Sequence, residues 1–157
     1  MVKVLVSACL LGAPVRYNGK DKKSGSPILE RWVREGRVVS ACPEVLGGLG
    51  TPRAPSEIVP INGLRRVAAN TGRDVTVEFE RGAALAFEQA LANDVRVAVL
   101  KEGSPSCGSA WTYDGTFTGT RVACEGVTTA LLRSKGIHVF SEDQIDAADA
   151  LVETLDA

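Results

Sequence analysis

The stretch Val95-Arg96-Val97-Ala98-Val99-Leu100 decides how the rest of the chain is read. A short, continuous, β-branched run ahead of an irregular segment is expected of a strand covered on both faces, because neither face then has to meet water. Just before it, Val75–Ala92 has a helical pattern, with Asp74 as its cap and Val77, Leu85, Phe87 and Leu91 among its apolar positions. Further back, Val2–Ala8 repeats the buried-strand signature. Pro27–Glu35 reads as a helix, with Ser26 as N-cap, Pro27 just inside the start and Gly36 just past the end. Arg37–Ala41 is then a second strand. Beyond the opening stretch, Val127–Lys135 reads as a helix stopped at Gly136, and Ile137–Phe140 as a last strand. Ser141-x-x-Gln144 forms a capping box for a helix to about Leu155. Strands and helices that alternate in this way predict an α/β fold, a mainly parallel Rossmann-like sheet with helices on both faces. Residues 1–157 are read as a single domain.

Two segments interrupt the alternation. Cys42–Pro60 is rich in proline and glycine and too long for a mere connector. Asn62-Gly63 then predicts a hairpin between Ile58–Ile61 and Leu64–Ala68. In the second segment, Lys101–Arg121, Asp114-Gly115 predicts another between Trp111–Tyr113 and Thr116–Thr118.

Charge and composition narrow the function classes. Of 157 residues, 18 are basic and 19 acidic, so the basic footprint of a general nucleic-acid binder is missing. The cluster Lys20, Lys22, Lys23 reads as a solvated turn. The first apolar run is short and broken by Lys3, unlike a signal-peptide core. No stretch approaches the roughly 18 apolar residues of a membrane span. A cytoplasmic protein, monomeric or homodimeric, is expected. In that reducing compartment the four cysteines read first as thiols or metal ligands.

Cys9 follows the first strand, Cys42 the second, and Cys107 lies in the loop after Val95–Leu100. In an open parallel sheet these loops share one edge, where ligands bind. Three thiols remote in sequence can therefore meet. Each is flanked by Pro or Gly: Cys9-Leu10-Leu11-Gly12, Cys42-Pro43-Glu44, and Ser104-Pro105-Ser106-Cys107-Gly108. Any one alone reads first as a small core residue, and only the three together at strand ends reverse that reading. Three cysteines without a clear fourth ligand suit structural zinc poorly, and His138, the only histidine, sits in a short apolar strand. A cubane held by three cysteines would leave one iron open. Cys124 has no such setting and reads as a spare thiol.

Together these motifs closely resemble the 2-thiouracil desulfurases. The resemblance also includes Val15-Arg16-Tyr17-Asn18-Gly19, Gly47-Gly48-Leu49, Pro52-Arg53, Lys101, Asp114-Gly115-Thr116-Phe117 and Gly126-Val127-Thr128, and so spans almost the whole chain. It implies a 4Fe–4S cluster held by Cys9, Cys42 and Cys107. It also implies non-redox C–S cleavage of a small thiolated base, 2-thiouracil giving uracil and hydrogen sulfide. Within that chemistry Glu44 is the candidate to activate water or shuttle a proton, and Ser104 to donate a hydrogen bond or relay a proton. Lys101 and Arg53 are candidates to hold the oxygen of the base. The plainer alternatives are a surface carboxylate, a turn-capping hydroxyl and structural ion pairs. Arg16 and Tyr17 are expected to support the Cys9 loop. A non-catalytic iron–sulfur sensor or electron carrier is the competing reading. A partner in sulfur transfer to tRNA is disfavoured by the near-neutral charge.

Overall fold

The computed structural model describes residues 1–157. In chain order the elements are β1 (Val4–Ser7), α1 (Pro27–Arg34), β2 (Val38–Ala41), α2 (Pro43–Leu46), β3 (Ser56–Ile61), β4 (Leu64–Ala69), α3 (Thr76–Ala92), β5 (Val97–Leu100), β6 (Trp111–Tyr113), β7 (Arg121–Ala123), α4 (Val127–Ser134), β8 (His138–Ser141) and α5 (Ile145–Asp156). The central sheet is wholly parallel, in the order β2-β1-β5-β8. After β2 the chain crosses back past β1, so the sheet's switch point lies between β1 and β5, where α/β sheets open a crevice.

The alternation of side chains across a strand explains the two-sided core. Val4, Val6, Val97 and Val99 face α1 and α5, packing on Leu29, Trp32, Ile145, Ala148 and Val152. Leu5, Ala98 and Leu100 face the other way, toward Ala90 of α3 and Leu132 of α4. Trp32 needs a partner for its buried indole N–H, and donates it to Asp149 Oδ1 at 2.9 Å.

Caps fall where the residue types call for them. Ser26 Oγ accepts from Leu29 N at 3.4 Å. Both halves of the Ser141/Gln144 box are formed, but they cap a single 3-10 turn, Glu142–Gln144, that leads into α5. Asp74 stands one residue before the cap position, which Val75 fills, and reaches Thr76 N at 2.9 Å.

Several expectations are corrected. Val77 and Leu91 are exposed. The buried stripe of α3 is instead Phe79, Gly82, Ala83, Ala86 and Ala90, a helical spacing of mostly small residues. Small residues matter because α2 lies almost in contact with α3. A Cβ on Gly82 would come within 1.9 Å of Pro43 O, and one on Gly47 within 1.9 Å of Glu78 O. The segment after Cys42 is therefore not wholly a loop. Pro43, with φ suited to a first helical position, opens the one-turn α2, and β3 starts already at Ser56. Asn62-Gly63 closes the β3–β4 hairpin as expected, with positive φ at both residues. Asp114-Gly115 does not close a tight one. Tyr113 pairs with Arg121 and Trp111 with Ala123, so residues 114–120 form a wider loop.

Candidate active site

A cavity of about 600 Å³ opens at the carboxyl edge of the sheet, in the size range of small-molecule sites. Cys9, Cys42 and Cys107 all line it. The strand order puts β1 between β2 and β5, so the three loops that carry the thiols are neighbours. Cys9 lies in a 3-10 turn, Ala8–Leu11, that ends at Gly12 with φ 98°. Cys42 follows β2 directly and caps α2. Cys107 is held from four sides. Its N–H and that of Ser106 donate to Ser104 Oγ at 2.8 and 3.0 Å. Thr129 Oγ1 donates to its carbonyl at 2.9 Å, and Ser106 and Thr128 share a hydroxyl bond of 2.7 Å. The start of α4 closes onto this loop so tightly that a Cβ on Gly126 would come within 2.4 Å of Ser106 O.

Burial dominates the electrostatics of the thiols. It pushes Cys107 up to about 12, with Glu44 and Cys42 adding repulsion. It pushes Cys9 up to about 11, with Cys42 adding repulsion and Lys101 opposing it. Cys42 is raised for the same first reason. Three sulfurs, those of Cys9 and Cys107 buried and that of Cys42 half-buried, resist joint ionisation and form a donor set that asks for a cationic group, so an iron–sulfur core fits them. No three His, Cys, Asp or Glu side chains are gathered closely enough to hold one metal ion. The thiols ring the cavity and suit a polynuclear centre better than a lone cation. Cys124 does not line the cavity, and accepts from Arg65 Nη2 at 3.4 Å.

The other expected residues also line the cavity. Glu44, 18% exposed at its side chain, accepts from Arg53 Nε at 3.2 Å through Oε1. Burial raises its pKa, and Arg53 opposes the rise. Arg53 Nη1 donates to Gly50 O and Thr51 Oγ1 at 3.1 and 3.2 Å, while Nη2 makes no bond within the protein. Lys101 Nζ lies 2.8 Å from Glu142 Oε2 and donates to Glu102 O at 3.0 Å, which uses two of its three N–H groups. Both cations therefore stand in ion pairs and each keeps a donor in reserve. Ser104 caps the Cys107 turn through its oxygen, and its own O–H is left to donate. Arg16 and Tyr17 line the cavity too, and the Tyr17 carbonyl takes the Arg53 N–H at 2.6 Å.

One wall was not foreseen. Trp111, Tyr113 and Phe117 line the cavity from the β6–β7 hairpin, together with Arg121. The guanidinium of Arg121 lies 3.9 Å over the Trp111 ring, and Tyr113 meets that ring edge-on with centroids 5.4 Å apart. Gly103 makes room, since a Cβ there would come within 2.4 Å of the indole. Phe117 has φ 57°, a left-handed conformation that costs a bulky residue about 1–2 kcal/mol. Glu57 Oε1 compensates, accepting from Gly115 N at 2.9 Å and Phe117 N at 3.2 Å. Glu57 sits on β3, 60 residues from Phe117, and the motif Asp114-Gly115-Thr116-Phe117 gives no sign of that contact.

A family model described as 2-thiouracil desulfurase matches residues 4–144. A solved structure of a [4Fe-4S]-dependent thiouracil desulfidase, TudS, superposes with a TM-score of 0.92, at 53% identity and over 99% of each chain. The uncharacterised protein YbbK of Bacillus subtilis is 41% identical over 149 residues, 91% of this chain and 97% of YbbK. The matched range, residues 4–144, includes all three thiols that line the cavity. The chain belongs to the 2-thiouracil desulfurase family.

Proposed function

We propose that this protein hydrolyses 2-thiouracil to uracil and hydrogen sulfide, with a 4Fe–4S cluster held by Cys9, Cys42 and Cys107. The observation that carries the reading is the placement of three thiols, two buried and one half-buried, around one cavity that also holds a partly buried carboxylate. When bound, a cluster with three cysteine ligands supplies a Lewis-acidic iron, free of protein, as acceptor for sulfur. Water adds to the carbon that bears sulfur, the C–S bond breaks, and its electron pair leaves with sulfur, so no net electron is gained or lost.

Glu44 takes the proton of the attacking water. Arg53 holds Oε1, which leaves Oε2 for the proton, and the raised pKa brings the carboxylate closer to water's needs. Ser104 donates its O–H to the ring as charge builds there. The free donors of Lys101 and Arg53 are assigned to the oxygen of the base, where they stabilise negative charge. No helix is long and apolar enough to cross a membrane. We place the protein in the reducing cytoplasm, where such thiols persist.

The test is to reconstitute the chain with iron and sulfide under anaerobic conditions, count metal, and assay sulfide release from 2-thiouracil. About four irons per chain and catalytic sulfide release are expected. A full cluster that releases no sulfide would favour a sensor. Full activity with zinc in place of iron would overturn the metal assignment.

A further inference from the structure

The Asp114-Gly115-Thr116-Phe117 segment has no part in the chemistry above, yet it is a heavily constrained loop of the cavity wall. Gly115, with φ 93°, sits so close to β3 that a Cβ would come within 2.7 Å of Ile58 O. Asp114 Oδ1 accepts from Thr116 N at 3.0 Å and from its hydroxyl at 2.6 Å. The hydroxyl chain continues from Thr116 to Thr118 at 2.6 Å and from Thr118 to Thr120 at 2.9 Å. At the apex Phe117 is held left-handed and 37% exposed, and it lines the cavity. A strained backbone that keeps a large aromatic half in water has no use in packing. It makes sense when a ligand supplies the missing contact surface.

The geometry points to Phe117 as the residue that covers the bound base, with the Glu57 carboxylate as the positioning residue that holds it there. This inference rests on the reading of the site as one for a planar thiolated pyrimidine. The thiols approach the cavity from β1, β2 and β5. Phe117 comes from the hairpin loop beyond β6, and stacks its face on the ring. Stacking selects for flat aromatic heterocycles and covers one face of the ring, leaving the other to the attacking water. A thiocarbonyl compound without a planar ring would gain nothing from it.

Binding is measured first, on cluster-loaded protein, by equilibrium dialysis against uracil, which carries no sulfur to release. Phe117→Gly suits the φ of 57° and should fold at least as well as wild type. It should weaken uracil binding and raise KM for 2-thiouracil at least tenfold, with a smaller effect on kcat. Phe117→Tyr should restore both. Glu57→Ala should reproduce the loss. Glu57→Gln keeps a carbonyl oxygen for the two N–H groups and should stay within about threefold of wild type. Unchanged uracil affinity in Phe117→Gly, or no uracil binding by the wild type, overturns the proposal. A wild type that binds uracil, loses it in Phe117→Gly and releases no sulfide would instead overturn the desulfuration and leave the covering role standing.

Discussion

At the scale of single residues, the site divides into side chains that local sequence identifies and side chains that it hides. Cys9, Cys42 and Cys107 were legible because each follows a strand and carries Pro or Gly beside it. Glu44 was legible because it sits two residues beyond a thiol. Glu57 and Trp111 were hidden and Phe117 entered only with the family motif, because the contacts that bring them to the cavity join segments far apart along the chain. Changing any of Cys9, Cys42 or Cys107 to Ser should abolish the brown cluster absorbance, whereas Cys124→Ser, away from the cavity, should keep it. Visible spectra after reconstitution decide this. Glu44→Gln retains an oxygen for Arg53 Nε, so the fold and the cluster should survive. Turnover should fall about 10²–10⁴-fold, the usual worth of a positioned acid–base group. Full sulfide release by this variant would remove Glu44 from the mechanism.

Among the elements, those with strong local signals were read correctly. The α1 cap, the β3–β4 turn and the Ser141/Gln144 box each rest on residues a few positions apart. Two elements escaped. The turn of α2 is too short to show a period, and its stability comes from seating Gly47 against α3. The partner of β6 was misread because Glu57 draws the Gly115 and Phe117 amides toward β3, so Thr116–Thr118 cannot pair back. Asp74 ties β4 to the start of α3, bonding Thr76 and pairing with Arg66 at 2.9 Å. The bonds from Thr76, then Arg66, lower its pKa from 3.8 to about 2. A depressed carboxylate pKa contributes stability that is complete above about pH 4 and is lost as pH falls toward 2. Thermal midpoints taken across that window should therefore fall, and Asp74→Asn should flatten the decline. An unchanged acid limb in the variant would show that the tie carries no linkage.

For the whole molecule, the parallel sheet with helices on both faces was readable, because runs such as Val97–Leu100 are apolar on both sides. The strand order was not readable, since it depends on which strands meet after long crossovers. The hydrophobic core lies mainly on the two faces of the sheet, while the thiols stand at its edge. Removing the cluster leaves Cys9 and Cys107 as buried neutral thiols at pH 7, because burial holds them near 11 and 12. The apoprotein should accordingly stay folded, unlike small metal domains whose metal is their core. Far-UV circular dichroism before and after chelation should overlap, and a collapse to coil would contradict it.

The strand order also sets a schedule for biosynthesis. Cys9 and Cys42 leave the ribosome early and stand on neighbouring strands, but β5 must be made before Cys107 can join them. Even then its loop is not secured until Thr129 has emerged and bonded the Cys107 carbonyl. A nascent chain short of α4 has two of the proposed ligands on neighbouring strands and the third unsecured. With Cys9, Cys42 and Cys107 as the proposed ligands, the cluster thus finds its complete set of thiols only after Thr129 has been made.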